Sequence, residues 1–111
     1  TPMTEDHTIV AKMMRQGLLS PEEAASHPDR HAITRAIGVE PEVLPDYTVV
    51  QLARGDTLLL CSDGLYNALP PDELSPLLAD ILNGGDIHTL IDRANAAGGP
   101  DNITAVLIHN R

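Results

Sequence analysis

Two aspartates in this sequence stand where acids can do chemistry with hard cations. Asp63 follows the apolar run Leu58-Leu59-Leu60-Cys61 and precedes Gly64, while Asp101 follows Gly98-Gly99-Pro100 and precedes Ile103-Thr104-Ala105-Val106. Each acid therefore lies at the end of a predicted strand. If the residues between them run out and back as two helices, the chain returns to the sheet end it left. The two strands are then antiparallel, and both carboxylates share one edge. Carboxylate oxygens so placed suit Mg²⁺ or Mn²⁺, which prefer hard oxygen ligands and water, and mutual repulsion makes the pair costly without a cation. Each acid also has a plainer explanation. Asp-Gly after a strand is a common turn, and Pro100-Asp101-Asn102 can be a turn in which Asn102 bonds the backbone.

The elements that must position these acids are legible from periodicity and caps. Ile9, Val10, Met13 and Met14 fall at helical spacing over residues 7–16, and Gly17 follows where a left-handed cap is wanted. Ser20-Pro21-Glu22-Glu23 reads as a capping box opening a short helix that runs to about Ser26. The middle of residues 27–45 is expected to be extended. Residues 46–53 and 56–62 are expected to be strands joined in a hairpin by Arg54-Gly55-Asp56. After Pro70-Pro71, residues Leu74, Leu77, Leu78, Ile81 and Leu82 share one helical face, with Pro76 tolerable only near the first turn. Gly84-Gly85 ends that helix. Asp86 caps another, bearing Ile87, Leu90, Ile91 and Ala94, and residues 103–108 form a last strand. There is no repeat or low-complexity tract, and the pattern reads as one continuous α+β unit.

Composition narrows the classes of function. The 111 residues carry 16 acidic against 7 basic side chains, a formal net charge of -9. That balance argues against a nucleic-acid partner, since affinity for phosphate backbones rests on Lys and Arg. It suits cations, or simply a well-solvated surface. With no Phe or Trp and two Tyr, the core has to be built from Leu, Ile, Val, Met and Ala. A lone cysteine, Cys61, forms no internal disulfide, and no apolar run is long enough to span a bilayer. The expected setting is a reducing, cytoplasmic one. The start at Thr1 without a Met or a signal-like stretch fits the expectation of a piece of a longer protein.

Two motifs resemble a known family. Leu59-Leu60-Cys61-Ser62-Asp63-Gly64-Leu65 looks like the strand-and-turn motif of the PP2C-type (PPM family) protein serine/threonine phosphatases, and Gly99-Pro100-Asp101-Asn102-Ile103-Thr104-Ala105 is similar to their closing motif. Before them, Thr4-Glu5-Asp6-His7-Thr8 resembles a strand-to-helix handover, and Gly17 through Gly38 resembles the segment containing the flap beside the active site. The resemblance spans essentially the whole chain. It implies that residues 1–111 are the carboxyl-terminal portion of a single PP2C-like domain, part of an antiparallel β-sandwich flanked by α-helices. By the same resemblance Asp63 and Asp101 are metal ligands, with Asp63 also able to face a third metal. Members hydrolyse phosphoserine and phosphothreonine in proteins with two or three Mn²⁺ or Mg²⁺ ions, water activated by the metal pair attacking phosphorus in line without a phosphoenzyme. A phosphoprotein substrate linked to a serine/threonine kinase is the implied partner.

The departures from the family pattern are specific. Asn67, a neutral and weaker ligand, stands where many members carry a further acid, which bears on the third metal. The family's amino-terminal motifs, with the phosphate-binding Arg and the remaining metal ligands, have no counterpart here. The chain by itself is therefore expected to be inactive, with open sheet edges and apolar faces covered by self-association, another chain or rearrangement. The rival function is a non-catalytic regulatory or interaction module derived from the phosphatase fold.

Other reactive residues are expected to be structural. His27 and His31 stand four apart, but Pro28 interrupts any shared helical face. His7 is expected to cap the first helix, Cys61 to fill core, and Arg35 to be exposed or ion-paired.

Overall fold

The structure, a computed structural model, describes residues 1–111. The chain forms two compact units, residues 1–50 and 51–111.

The first unit is built on two short helices whose ends are fixed by local chemistry. Helix α1 spans Ile9–Arg15, and the Thr8 side chain accepts a hydrogen bond from the Ala11 N–H. Its end is closed by Gly17 at φ 73°, with the Leu18 N–H donating to Met13 O and the Gly17 N–H to Met14 O, the paired bonds of a Schellman cap. Helix α2 spans Pro21–Ser26 and begins in the expected capping box, Ser20 and Glu23 exchanging side-chain and backbone bonds. It stops at His27, whose backbone is extended because Pro28 disfavours helical geometry in the residue before it.

In the second unit, strands β1 (Thr57–Cys61) and β2 (Ala105–His109) pair antiparallel, with Thr57 opposite His109 and Cys61 opposite Ala105. Between them lie α3 (Asp63–Tyr66), α4 (Pro71–Leu82) and α5 (His88–Ala96). Helices and sheet share one core. Leu65, Leu69, Leu90 and Ala94 are buried, and Leu59, Cys61 and Ala105 from the strands and Leu74, Leu77, Leu78 and Ile81 from α4 pack around them. Each fully buried leucine stabilises by about 1.5–3 kcal/mol relative to exposure. The opposite sheet face carries Leu60, Val106 and Ile108, all roughly half exposed. The out-and-back helical excursion and the antiparallel return read from the sequence are both present.

Three expectations are corrected. Residues 46–53 form no strand and no hairpin with β1; Tyr47 and Val49 are 89% and 93% exposed. The turn at 53–56 does form, the Asp56 N–H donating to Ala53 O at 3.0 Å and the Ala53 N–H to Asp56 Oδ2 at 2.8 Å. Beyond it, however, the chain pairs with β2, the Asn110 N–H donating to Asp56 O. An alternating apolar segment becomes a strand only when a neighbouring backbone takes its N–H and C=O groups. For the same reason residues 27–45 hold only single bridges, Thr8 with Ile33 and Ile37 with Glu40. Asp63-Gly64 is more than a turn, since Asp63 opens the one-turn helix α3.

Pro76 lies inside α4, at its sixth position, one turn later than the free donors of a helix start. At the head of α5, Asp86 Oδ1 accepts from the His88 N–H at 2.9 Å and lies 2.8 Å from His88 Nδ1. The hydrogen bond to Asp86, and then that carboxylate's charge, hold the His88 pKa above its ordinary 6.5. The backbone and side-chain bonds of His88 hold Asp86 below its ordinary 3.8. A raised folded pKa stabilises fully below the unfolded value and fades as pH rises through the folded one; a lowered one stabilises above its unfolded value and fades on acidification. The contact should therefore be strongest between about pH 4 and 6.5. An NMR titration should find the His88 imidazole above its ordinary value, and Asp86→Asn should return it there; an unchanged midpoint in the variant would refute the pairing.

Candidate metal-ligand rim

Asp63 and Asp101 are positioned by the end of the β1–β2 ladder. The ladder brings Cys61 opposite Ala105, and the next residue on each side continues the pairing, the Ser62 N–H donating to Thr104 O at 2.9 Å. One residue beyond Ser62 is Asp63, and three before Thr104 is Asp101. Here the two segments touch through their backbones. A Cβ on Gly64 would lie 2.2 Å from Asn102 O and 3.1 Å from its carbonyl carbon. Gly64 has no positive φ, so glycine is required for close approach rather than for turn geometry. The two acids are thus each one residue from a single backbone contact, at one end of the sheet, and both are exposed.

The local chemistry leaves these carboxylates available for a further ligand. Asp101 Oδ1 accepts from the Asn102 N–H at 2.7 Å. Asp63 is the first residue of α3, whose next two residues, Gly64 and Leu65, are buried. The fully buried Leu65 anchors the turn while the acid before it faces solvent. Nowhere in the chain do three or more His, Cys, Asp or Glu side chains gather as a ready-made metal cage. Two hard oxygen donors at one rim do match Mg²⁺ or Mn²⁺, because Mg²⁺ characteristically keeps several waters and takes only one or two carboxylates from the protein. The residues present therefore fit part of a donor set.

The remaining candidates resolve as structural. Cys61 is partly buried against the core, and burial pushes its thiol pKa up, the reverse of an activated nucleophile. Arg35 Nη1 donates to Leu44 O and to Asp46 Oδ1, each at 2.8 Å. His7 is corrected: Thr8, not His7, caps α1, and His7 Nε2 lies 2.6 Å from Asp46 Oδ2. The bonds from Arg35, then from His7, hold the Asp46 carboxyl below its ordinary value. His27 Nδ1 accepts from the Asp29 N–H at 3.1 Å, as a turn residue does. Asn67 ends α3, its N–H donating back to Asp63 O and Leu65 O.

Sequence reading missed two residues at the rim. In sequence Gly64 has the look of an ordinary turn glycine, and nothing there assigns a part to the Ser62 hydroxyl. Ser62 Oγ accepts from the Thr104 N–H at 3.0 Å and donates to Asn102 O at 3.3 Å. The only hint in the sequence is a polar residue between an apolar strand and an acid.

With that geometry in place, comparison with known proteins gives the family. The family described as Stage II sporulation protein E (SpoIIE) matches residues 7–110, and the chain belongs to it, a family of PP2C-type phosphatase domains. The protein phosphatase PhpP of Streptococcus pneumoniae is 43% identical over 107 residues, covering 96% of this chain and 44% of that protein. The solved serine/threonine phosphatase of S. agalactiae is 38% identical with a TM-score of 0.88, over 97% of this chain and 45% of that one. The catalytic domain of the serine/threonine protein phosphatase PstP, solved in complex with two manganese ions, is 34% identical with a TM-score of 0.63, over 96% and 44%. The chain thus spans less than half the length of these relatives, and its own two-stranded sheet does not by itself make a sandwich. No helix is long and apolar enough to cross a membrane.

Proposed function

We propose that this chain is the carboxyl-terminal portion of a PP2C-like domain whose complete form hydrolyses phosphoserine and phosphothreonine in proteins, and that Asp63 and Asp101 are ligands of its divalent metal pair. The single observation that carries this reading is the backbone contact between Gly64 and Asn102, which keeps the segments bearing the two acids together at one sheet end. The two manganese ions of the PstP relative support Mn²⁺ or Mg²⁺ as the cofactor.

When bound, such a pair supplies water of lowered pKa and neutralises charge on the phosphoryl oxygens. This chain's part is to hold the carboxylates in place. β1 and β2 bring in the two segments, Gly64 lets them touch, and the buried Leu65 keeps α3 from swinging Asp63 away. Asn67, neutral at the end of α3, offers a weaker ligand, so occupancy of a third position by a hard cation is expected to be low. The half-exposed Leu60, Val106 and Ile108 face fits a covered surface in the complete domain, the second sheet of a sandwich, and self-association of the isolated chain. A phosphoprotein substrate linked to a serine/threonine kinase, in the cytoplasm, completes the proposal.

The test is phosphate release from a phosphothreonine peptide by the intact protein in which this chain occurs. Release should need Mn²⁺ or Mg²⁺ and stop on chelation. Metal binding without any release would favour the rival reading, a regulatory or interaction module derived from the same fold.

A further inference from the structure

The β1–β2 ladder has an irregular last rung. Ser62 and Thr104 are directly opposed in the register, and an ordinary hydrogen-bonded antiparallel pair would exchange two backbone bonds there. One is present, from the Ser62 N–H to Thr104 O at 2.9 Å. In place of the other, the Thr104 N–H donates at 3.0 Å to the Ser62 hydroxyl oxygen. The Ser62 carbonyl, thereby released, accepts from the Leu65 N–H at 3.1 Å in the first turn of α3. The hydroxyl's own proton goes to Asn102 O at 3.3 Å, the carbonyl against which Gly64 is pressed. A serine preceding a helix ordinarily spends its side chain on that helix's free amides; Ser62 makes no such bond. Its donor and its acceptor are both given to the segment 102–104.

We propose that Ser62 is a positioning residue whose hydroxyl replaces its own carbonyl in the last rung of the sheet and so fixes the Asp101 segment against the Asp63 turn. The inference rests on the reading of Asp63 and Asp101 as ligands of a divalent cation. Removing the hydroxyl takes away the acceptor that the Thr104 amide uses and the donor that holds Asn102 O. The Asp101 loop should then loosen while β1, β2 and the helical core stay in place. Partners that orient a ligand without touching the metal typically change metal affinity by about 10–100-fold.

The experiment compares the intact protein with Ser62→Ala, Ser62→Thr, Ser62→Cys and Asp63→Asn. Mn²⁺ affinity is measured by titration calorimetry, and Thr104 amide exchange by NMR without metal. Ser62→Ala should weaken Mn²⁺ binding by about 10-fold or more and speed Thr104 exchange, whereas Ser62→Thr, which keeps the hydroxyl, should stay close to the parent in both. Ser62→Cys, with its weaker donor and acceptor, should fall between them, and serves as the readout if Ser62→Ala does not fold. Parent-like Mn²⁺ affinity in Ser62→Ala or Ser62→Cys, beside a loss in Asp63→Asn, would overturn the positioning role and leave the ligand reading standing. Equal losses in Ser62→Thr and Ser62→Ala would overturn it as well. Unchanged binding in Asp63→Asn would remove the ligand reading, and this inference with it.

Discussion

Asp63→Ala and Asp101→Ala, each in the intact protein, should lose phosphate release from a phosphothreonine peptide by several orders of magnitude at saturating Mn²⁺. The size follows from what the carboxylates do. A hard cation bound through few protein oxygens depends strongly on each, and an incomplete cage forfeits the lowered water pKa and the charge neutralisation together. A thousandfold loss corresponds to about 4 kcal/mol of transition-state stabilisation. Both acids are exposed, so neither substitution disturbs the core and folding should be nearly unchanged. That separates loss of chemistry from loss of structure. The double variant should be little worse than either single one, since residues acting as one unit are not additive. Variants that keep more than a tenth of the parent rate would remove these residues from the metal site.

Gly64→Ala should be the most damaging small substitution in the second unit. The added methyl would sit 2.2 Å from Asn102 O, with Ile103 Cγ1 at 3.3 Å as a further neighbour. The first contact is with backbone, so no side-chain rotation relieves it. Overpacking in well-packed regions costs about 1–3 kcal/mol and occasionally more, and relief here requires prising apart the two segments that carry the acids. We therefore expect a clear fall in the urea midpoint and a larger fall in Mn²⁺ affinity. Retained stability with parent-like metal binding would show that the segments need not touch. Gly17→Ala, strained at φ 73° but with open space around it, provides the contrast: a stability cost from backbone strain with no effect on metal.

How far the sequence foretold this arrangement depends on how local each determinant is. The capping box at Ser20 and the closing Gly17 were legible because their partners lie within a few residues, and the apolar face of α4 because its spacing is local. The return of the Asp101 segment to the sheet end where Asp63 lies was legible as topology, since two helices between two strands bring the chain back. Residues 46–53 misled because alternation reports which side chains want cover, while strand formation needs a neighbouring backbone, and β1 pairs with β2 instead. His7 and Thr8 both precede the apolar face of α1, and the shorter hydroxyl of Thr8 is the better cap acceptor. Gly64 and Ser62 escaped because their roles exist only against Asn102 and Thr104, some forty residues away, and Gly64 gives no conformational sign of its own.

Helix α3 joins two opposite environments within three residues: an acid in water at Asp63 and a side chain with no exposure at Leu65. Leu65 shares its burial site with Leu90 and Ala94 of α5, so the Asp63 side of the rim has no hinge of its own. Warming or substitutions that soften the seat of α5 should reach the carboxylates before the chain melts, and resistance to heat and turnover would then have to be improved, or lost, together.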